Sequence, residues 1–144
     1  MYKLIFEIIE ETQKAKSKAD KIKVLKDNES WGLKDVLRGS YDSTVVWNLP
    51  EGKPPFTPNL PQSTPSDLQR KNTQFKYFVK GGAGDQMMKP KRERLFIELL
   101  ESIHPKDADL VISMIAKKSI KGINRKLIDE AFKEFDDISG SKNW

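Results

Sequence analysis

Apolar residues recur with helical spacing along most of the chain. Leu4, Ile5, Ile8 and Ile9 fall on one stripe with glutamates opposite, which predicts a helix over 2–16. Ser17 is a cap for a second helix over 18–27, where Ala19, Ile22, Val24 and Leu25 make a looser stripe and Asn28 is a stop. Ser30 starts a third helix to about residue 41, with Trp31, Leu33, Val36 and Leu37 facing inward. Three short helices with tight connections predict one compact helical layer.

The pattern then breaks. Ser43-Thr44-Val45-Val46-Trp47 is β-branched and short, and predicts an extended segment or a buried connection. Pro50, Pro54, Pro55, Pro58, Pro61 and Pro65 follow, and exclude regular helix or sheet over 50–65. A loop of this length is functional, mobile or an exposed linker. Phe56 and Leu60 inside it are expected to pin part of it to the surface.

Helical periodicity resumes after the prolines. Ser66-Asp67 caps a helix expected over 67–80, with Leu68, Phe75, Phe78 and Val79 on one face, although Asn72-Thr73 is a poor helix interior. Gly81 and Gly82 end it. Pro90 suits the first turn of the next helix, whose stripe is Leu95, Phe96, Leu99, Leu100 and Ile103. His104-Pro105 breaks that run. Ala108, Leu110, Val111, Met114 and Ile115 define another helix ending in Lys117-Lys118. Asn124 caps a last helix with Leu127, Ile128, Ala131 and Phe132 on one face and Phe135 a turn on; 136–144 reads as a loose tail. The fold class is all-α: a compact multi-helix domain over 1–135 with a long proline-rich loop.

Composition sharpens this picture in a few places. At 144 residues the chain makes one domain, or one domain with a tail. It has no cysteine, which agrees with a reducing cytosol and excludes disulfides and thiolate metal sites. Glu7, Glu10 and Glu11 interrupt the N-terminal apolar positions too early for a signal peptide, and no apolar run approaches the roughly 20 residues that span a bilayer. A cytoplasmic protein without a membrane partner is expected. The net charge of +5 is unevenly spread: residues 70–126 hold 14 Lys/Arg against 6 Asp/Glu, and the rest of the chain is net acidic. Concentrated positive charge suits a polyanionic partner, and it equally suits a solvated lysine-rich surface.

Candidate catalytic chemistry is sparse. His104 is the single histidine, so Ser-His-Asp or Cys-His catalysis depends on it alone. His104, Asp107 and Asp109 read as a helix start and not as metal ligands. There is no GxxxxGK[ST] loop, and Gly81-Gly82-Ala83-Gly84 follows a helix, so neither a P-loop nor a dinucleotide fingerprint applies. Acidic pairs such as Glu10-Glu11 and Asp136-Asp137 read as solvated faces. No enzyme, metal or cofactor is expected.

The positive features are two turns. Gly82-Ala83-Gly84-Asp85 precedes Lys89, Lys91, Arg92 and Arg94. Glycines let a backbone approach a ligand, and amides of such a turn and of the following helix start are donors for phosphate. The second turn is built alike: Lys117 and Lys118 at a helix end, then Lys121-Gly122, then Arg125-Lys126 opening the last helix. Together they are candidates to straddle a nucleic-acid backbone. Ordinary helix connections with exposed lysines are the alternative.

These same residues carry a resemblance. Gly81 to Phe132 resembles the N-terminal helical DNA-binding domain of ATP-dependent DNA ligases. That family has a G-x-G-S turn, a lysine soon after, two apolar helices, and a Lys-Leu-Arg-(hydrophobic)-Gly-(hydrophobic) turn leading into a final helix. Gly82-Ala83-Gly84-Asp85 and Lys89 match the first turn; Phe96 to Leu100 and Ala108 to Val111 match the helices; Lys118-Ser119-Ile120-Lys121-Gly122-Ile123 matches the second turn; Ile128 to Phe132 matches the final helix. Ile5 to Ile9 and Lys21 to Lys26 look like the opening of phage-type ligases. Asp85 stands where the family has serine, and Ile120 where many members have arginine. The Lys-x-Asp-Gly motif of adenylation is absent. The resemblance therefore implies the gripping part alone, holding double-stranded DNA without ligating it, as a stand-alone phage accessory protein in replication or repair. A module that binds a replication, repair or transcription protein is the competing expectation.

Overall fold

A computed structural model describes residues 3–42, 45–50, 54–58 and 68–132. Among these residues it contains seven α-helices: α1 (Ile5–Lys14), α2 (Lys18–Asp27), α3 (Trp31–Tyr41), α4 (Leu68–Lys71), α5 (Lys89–Ser102), α6 (Pro105–Ile115) and α7 (Arg125–Ala131). The fold is all-α. Two 3-10 segments, Asn72–Tyr77 and Ala83–Gln86, lie between α4 and α5. The extended Val45–Trp47 stretch makes one isolated antiparallel bridge, Trp47 to Val79.

Local sequence chemistry fixes the helix starts. The Ser17 hydroxyl accepts the Asp20 amide, the Ser30 hydroxyl the Leu33 amide, and the Asn124 side chain the Leu127 amide. Each satisfies one donor that the first turn leaves without a helical partner. Pro105 opens α6, where His104 Nδ1 accepts the Lys106 amide. His104 also stacks on Phe6 with ring centroids 4.4 Å apart, and Asp107 accepts the Phe6 amide at 2.8 Å. The stretch around the single histidine thus docks the start of α6 on α1.

The first three helices do not form one layer. α1 packs on α2, and α2 on α7, while α3 packs chiefly on α6 and α4. Every residue from Gly32 to Ser40 is buried, so α3 is the central helix and not an amphipathic surface one. Gly39 permits this: a Cβ there would stand 2.6 Å from Met114 Sδ and from the Trp47 ring. The Trp47 indole donates to the Gly39 carbonyl at 3.0 Å. Trp31, expected inward, is 53% exposed at the first turn of α3, where the ammonium of the buried Lys34 lies 5.2 Å from its ring centroid. Ala19 is likewise exposed, and Leu25 is the buried residue of α2.

The helix expected over 67–80 is realised as one α turn followed by a 3-10 segment. The reason is the central helix. Asp35 is buried on α3, and the Asn72 amide turns inward to donate to it at 2.6 Å. An unpaired buried carboxylate is costly, so the chain tightens around this bond. Phe75, Phe78 and Val79 still reach the core, where Phe78 meets Phe96 edge-on at 5.4 Å. In the proline-rich stretch Phe56 packs against the core, and the Thr57 amide donates to Glu101. Ser66-Asp67, Leu60, Phe135 and the tail lie outside the described residues.

Candidate nucleic-acid interface

The first glycine turn is closed on itself. Gly81 has φ +85°, the left-handed region that favours glycine. Its amide donates to the Asp85 carboxylate at 2.9 Å, so the aspartate occupies the place at which an anion would meet that donor. Gly82 has φ −97°, ordinary backbone for any residue. Gly84 is buried, and a Cβ there would fall on the Tyr77 carbonyl. The glycine is therefore needed by the neighbouring backbone and not by a ligand.

Arg92, one turn into α5, is 7% exposed and donates to the carbonyls of Asn48, Gly84 and Met87 at 3.0, 3.2 and 3.0 Å. Its guanidinium fastens the turn to the Trp47 segment and is not a surface cation. Lys89 and Lys91, by contrast, are exposed.

The second turn is held from three sides. α6 ends with the Lys117 amide on the Met114 carbonyl and the Lys118 amide on the Ser113 carbonyl, the paired bonds of a Schellman ending. Lys117 takes the left-handed position, φ +57°, where glycine is the usual residue. Its ammonium donates to the Asp42 carbonyl at 2.8 Å. Burial lowers the Lys117 pKa, against the pull of the Asp42 carboxylate. Beyond it, the Tyr41 hydroxyl accepts the Ile120 amide at 2.7 Å and donates to the Ile123 carbonyl at 2.5 Å. Burial raises the pKa of that hydroxyl. Ile120 and Ile123 are buried, which accounts for an apolar residue at 120. Gln13 donates to the Lys121 carbonyl and Lys21 to the Gly122 carbonyl, both at 2.9 Å.

This docking assembles a basic cleft. Lys16 just before α2, with Lys18 and Lys21 on it, meets Gly122 just before α7 and Lys126 on it around a volume of about 230 Å³. Lys121 is exposed beside it. Lys18 pairs with Glu130 at 2.7 Å, while Lys16 and Lys126 form no ion pair among the described residues. Arg125 pairs with Asp129 on α7 at 2.9 Å and reaches the Tyr41 carbonyl.

The sequence candidates thus sort into three groups. Gly122 and Lys126 come together at the cleft, and Lys121, next to Gly122 in the chain, is exposed outside its lining. Lys89 and Lys91 are exposed at the start of α5, and Lys118 is exposed at the second turn. Gly82, Gly84, Arg92, Lys117 and Arg125 serve or engage the fold itself. Lys16, Lys18 and Lys21 were not singled out by sequence reasoning. Their signals were three lysines around a helix cap, in a net-acidic part of the chain, and the place of Lys21 at the start of the ligase-like Lys21 to Lys26 stretch. Both turns are fastened to one segment: Lys117 to Asp42 and Arg92 to Asn48. The anchors are six positions apart, so the turns are tied at points within about 20 Å of each other.

The chain belongs to a family of unknown function (DUF6433), whose model matches residues 8–121, from α1 through the second turn. No curated protein matches it. No solved structure matches it.

Proposed function

We propose that this protein is a non-catalytic DNA-binding module that holds the phosphate backbone of duplex DNA at the lysine cleft between α2 and α7. The observation that carries this reading is the convergence of Lys16, Lys18, Lys21 and Lys126 around Gly122, with Lys121 alongside. Four ammonium groups line one small concavity and Glu130 offsets one of them, so an anion seated there relieves the repulsion among the rest. The ten-residue α2 opens at the cleft, so its dipole adds to the same field. A phosphate there competes with Glu130 for Lys18 and leaves the Lys21 bond to Gly122 in place. Contacts of this kind position a duplex without reading bases. The resemblance to ligase-type DNA-binding domains supports the same reading, and with no adenylation lysine an accessory role in replication or repair fits it.

Fluorescence anisotropy with a labelled duplex across a salt series tests the proposal. Binding weakens as salt rises, with a log–log slope of about −0.9 for each phosphate neutralised. Lys16→Ala, Lys121→Ala and Lys126→Ala each reduce the slope by about one and weaken all duplex sequences alike. Binding absent at low salt, or indifferent to salt, sinks the proposal.

A second reading rests on exposed apolar residues. Trp31 at the start of α3 and Met88 just before α5, 53% and 76% exposed, are individual side chains that a replication, repair or transcription protein would cover. A nuclease-resistant complex recovered from lysate, together with no duplex binding, favours that reading.

A further inference from the structure

We infer that the groove between the Asn72–Tyr77 segment and α5 binds a single strand of nucleic acid. Its phosphates lie along Lys71, Lys76 and Lys91, and a base stacks on Tyr77. The groove has a volume of about 700 Å³, three times that of the duplex cleft, and contains none of the cleft's residues. It is a second site that extends the DNA-binding reading.

Three lysines face one carboxylate, Glu98, and Leu95 contributes apolar floor. A positive groove with an apolar floor and an aromatic ring is the combination that tracks a phosphate backbone while stacking bases. Tyr77 is positioned for this by the first glycine turn. Gly84 packs so closely on the Tyr77 backbone that no Cβ fits between them, and Arg92 fixes the Gly84 carbonyl. The backbone that carries the ring is thus fixed, and the ring is half-buried against the core, so stacking a base on the side that remains exposed costs little ordering. Lys76 Nζ lies 5.3 Å from the ring centroid. A half-exposed cation–π contact is weaker than a base stack, so an arriving base displaces the ammonium from the ring toward the adjoining phosphate. A duplex buries its base faces against one another, and an unpaired strand offers them to the ring. An acidic peptide matches the lysines as well, but it makes no use of a rigid ring beside them.

The test uses the full chain with three fluorescent probes: an oligothymidine, a blunt duplex of the same length and an oligoglutamate. The expected result is salt-dependent oligothymidine binding that Tyr77→Leu weakens at least fivefold and Tyr77→Trp preserves. Lys91→Glu, an exposed charge reversal without consequence for folding, weakens it at least tenfold. Duplex affinity stays within twofold in Tyr77→Leu, and Lys126→Ala lowers duplex affinity while sparing oligothymidine. The two sites therefore fail separately. Oligothymidine binding that is absent, or unchanged in both Tyr77→Leu and Lys91→Glu, overturns the inference. So does oligoglutamate binding that depends on Lys91 but not on Tyr77, which assigns the groove to an acidic peptide.

Discussion

Gly84 lies directly against the backbone of Tyr77, with no space for a Cβ between them. The first glycine turn therefore acts as a splint for Tyr77, four positions before Gly81. Its glycine content comes from two separate needs: a left-handed φ at Gly81 and close approach at Gly84. Gly84→Ala forces the two backbones apart and costs about 3 kcal/mol, the upper range for overpacking. Gly81→Ala meets open space and costs only the conformational strain, about 1 kcal/mol. Urea denaturation of the two variants separates the effects.

Arg92 and Lys91 are adjacent in sequence and opposite in role. Arg92→Met strands the Gly84 carbonyl in a buried setting and those of Asn48 and Met87 in half-buried ones, and destabilises the protein by about 3 kcal/mol. Lys91→Met changes stability by less than about 0.5 kcal/mol, as expected for an exposed side chain. Chemical denaturation curves read both values.

Lys117 combines a strained backbone with a useful side chain. Lys117→Ala removes the bond to the Asp42 carbonyl and keeps the left-handed φ, so it destabilises by about 1 kcal/mol. Lys117→Gly loses the same bond but relieves roughly 1 kcal/mol of backbone strain, and comes out near neutral. A thermal shift for glycine as large as that for alanine contradicts this account.

Asp35 makes stability depend on pH. Burial raises its pKa above the ordinary carboxylate value, and the hydrogen bond from Asn72 and the charge of Arg38 only partly oppose this. The folded protein therefore holds the Asp35 proton more tightly than the unfolded chain does. The stability from that proton is complete below the ordinary value of 3.8 and is lost as pH rises through the raised one. Asp35→Asn still accepts the Asn72 bond and has no such dependence. The stability of the wild type relative to Asp35→Asn therefore falls with rising pH, starting just above 3.8. Parallel urea titrations from pH 3 to 7 measure the difference; a difference that is flat or rises with pH rules the account out.

The sequence by itself determined what depends on neighbours within a turn or two. Stripes such as Leu95 to Ile103 and caps at Ser17, Ser30 and Asn124 act over three or four residues, so the helices at 18–27, 31–41 and 89–102 were legible. The tertiary structure decided everything that depends on a distant partner. Arg92 and Lys117 look locally like Lys89 and Lys118. They differ because carbonyls 44 and 75 residues away bind them: Arg92 is buried, and Lys117 stays exposed but is tied to Asp42. Asp35 is a surface residue by type, yet it recruits Asn72 from 37 residues away and breaks the helix expected there. The basic cleft joins Lys21 to Gly122 across 101 residues. Local patterning sets where helices start and which face is apolar; only packing decides which cations stay in water, because burial is a property of the surfaces that meet.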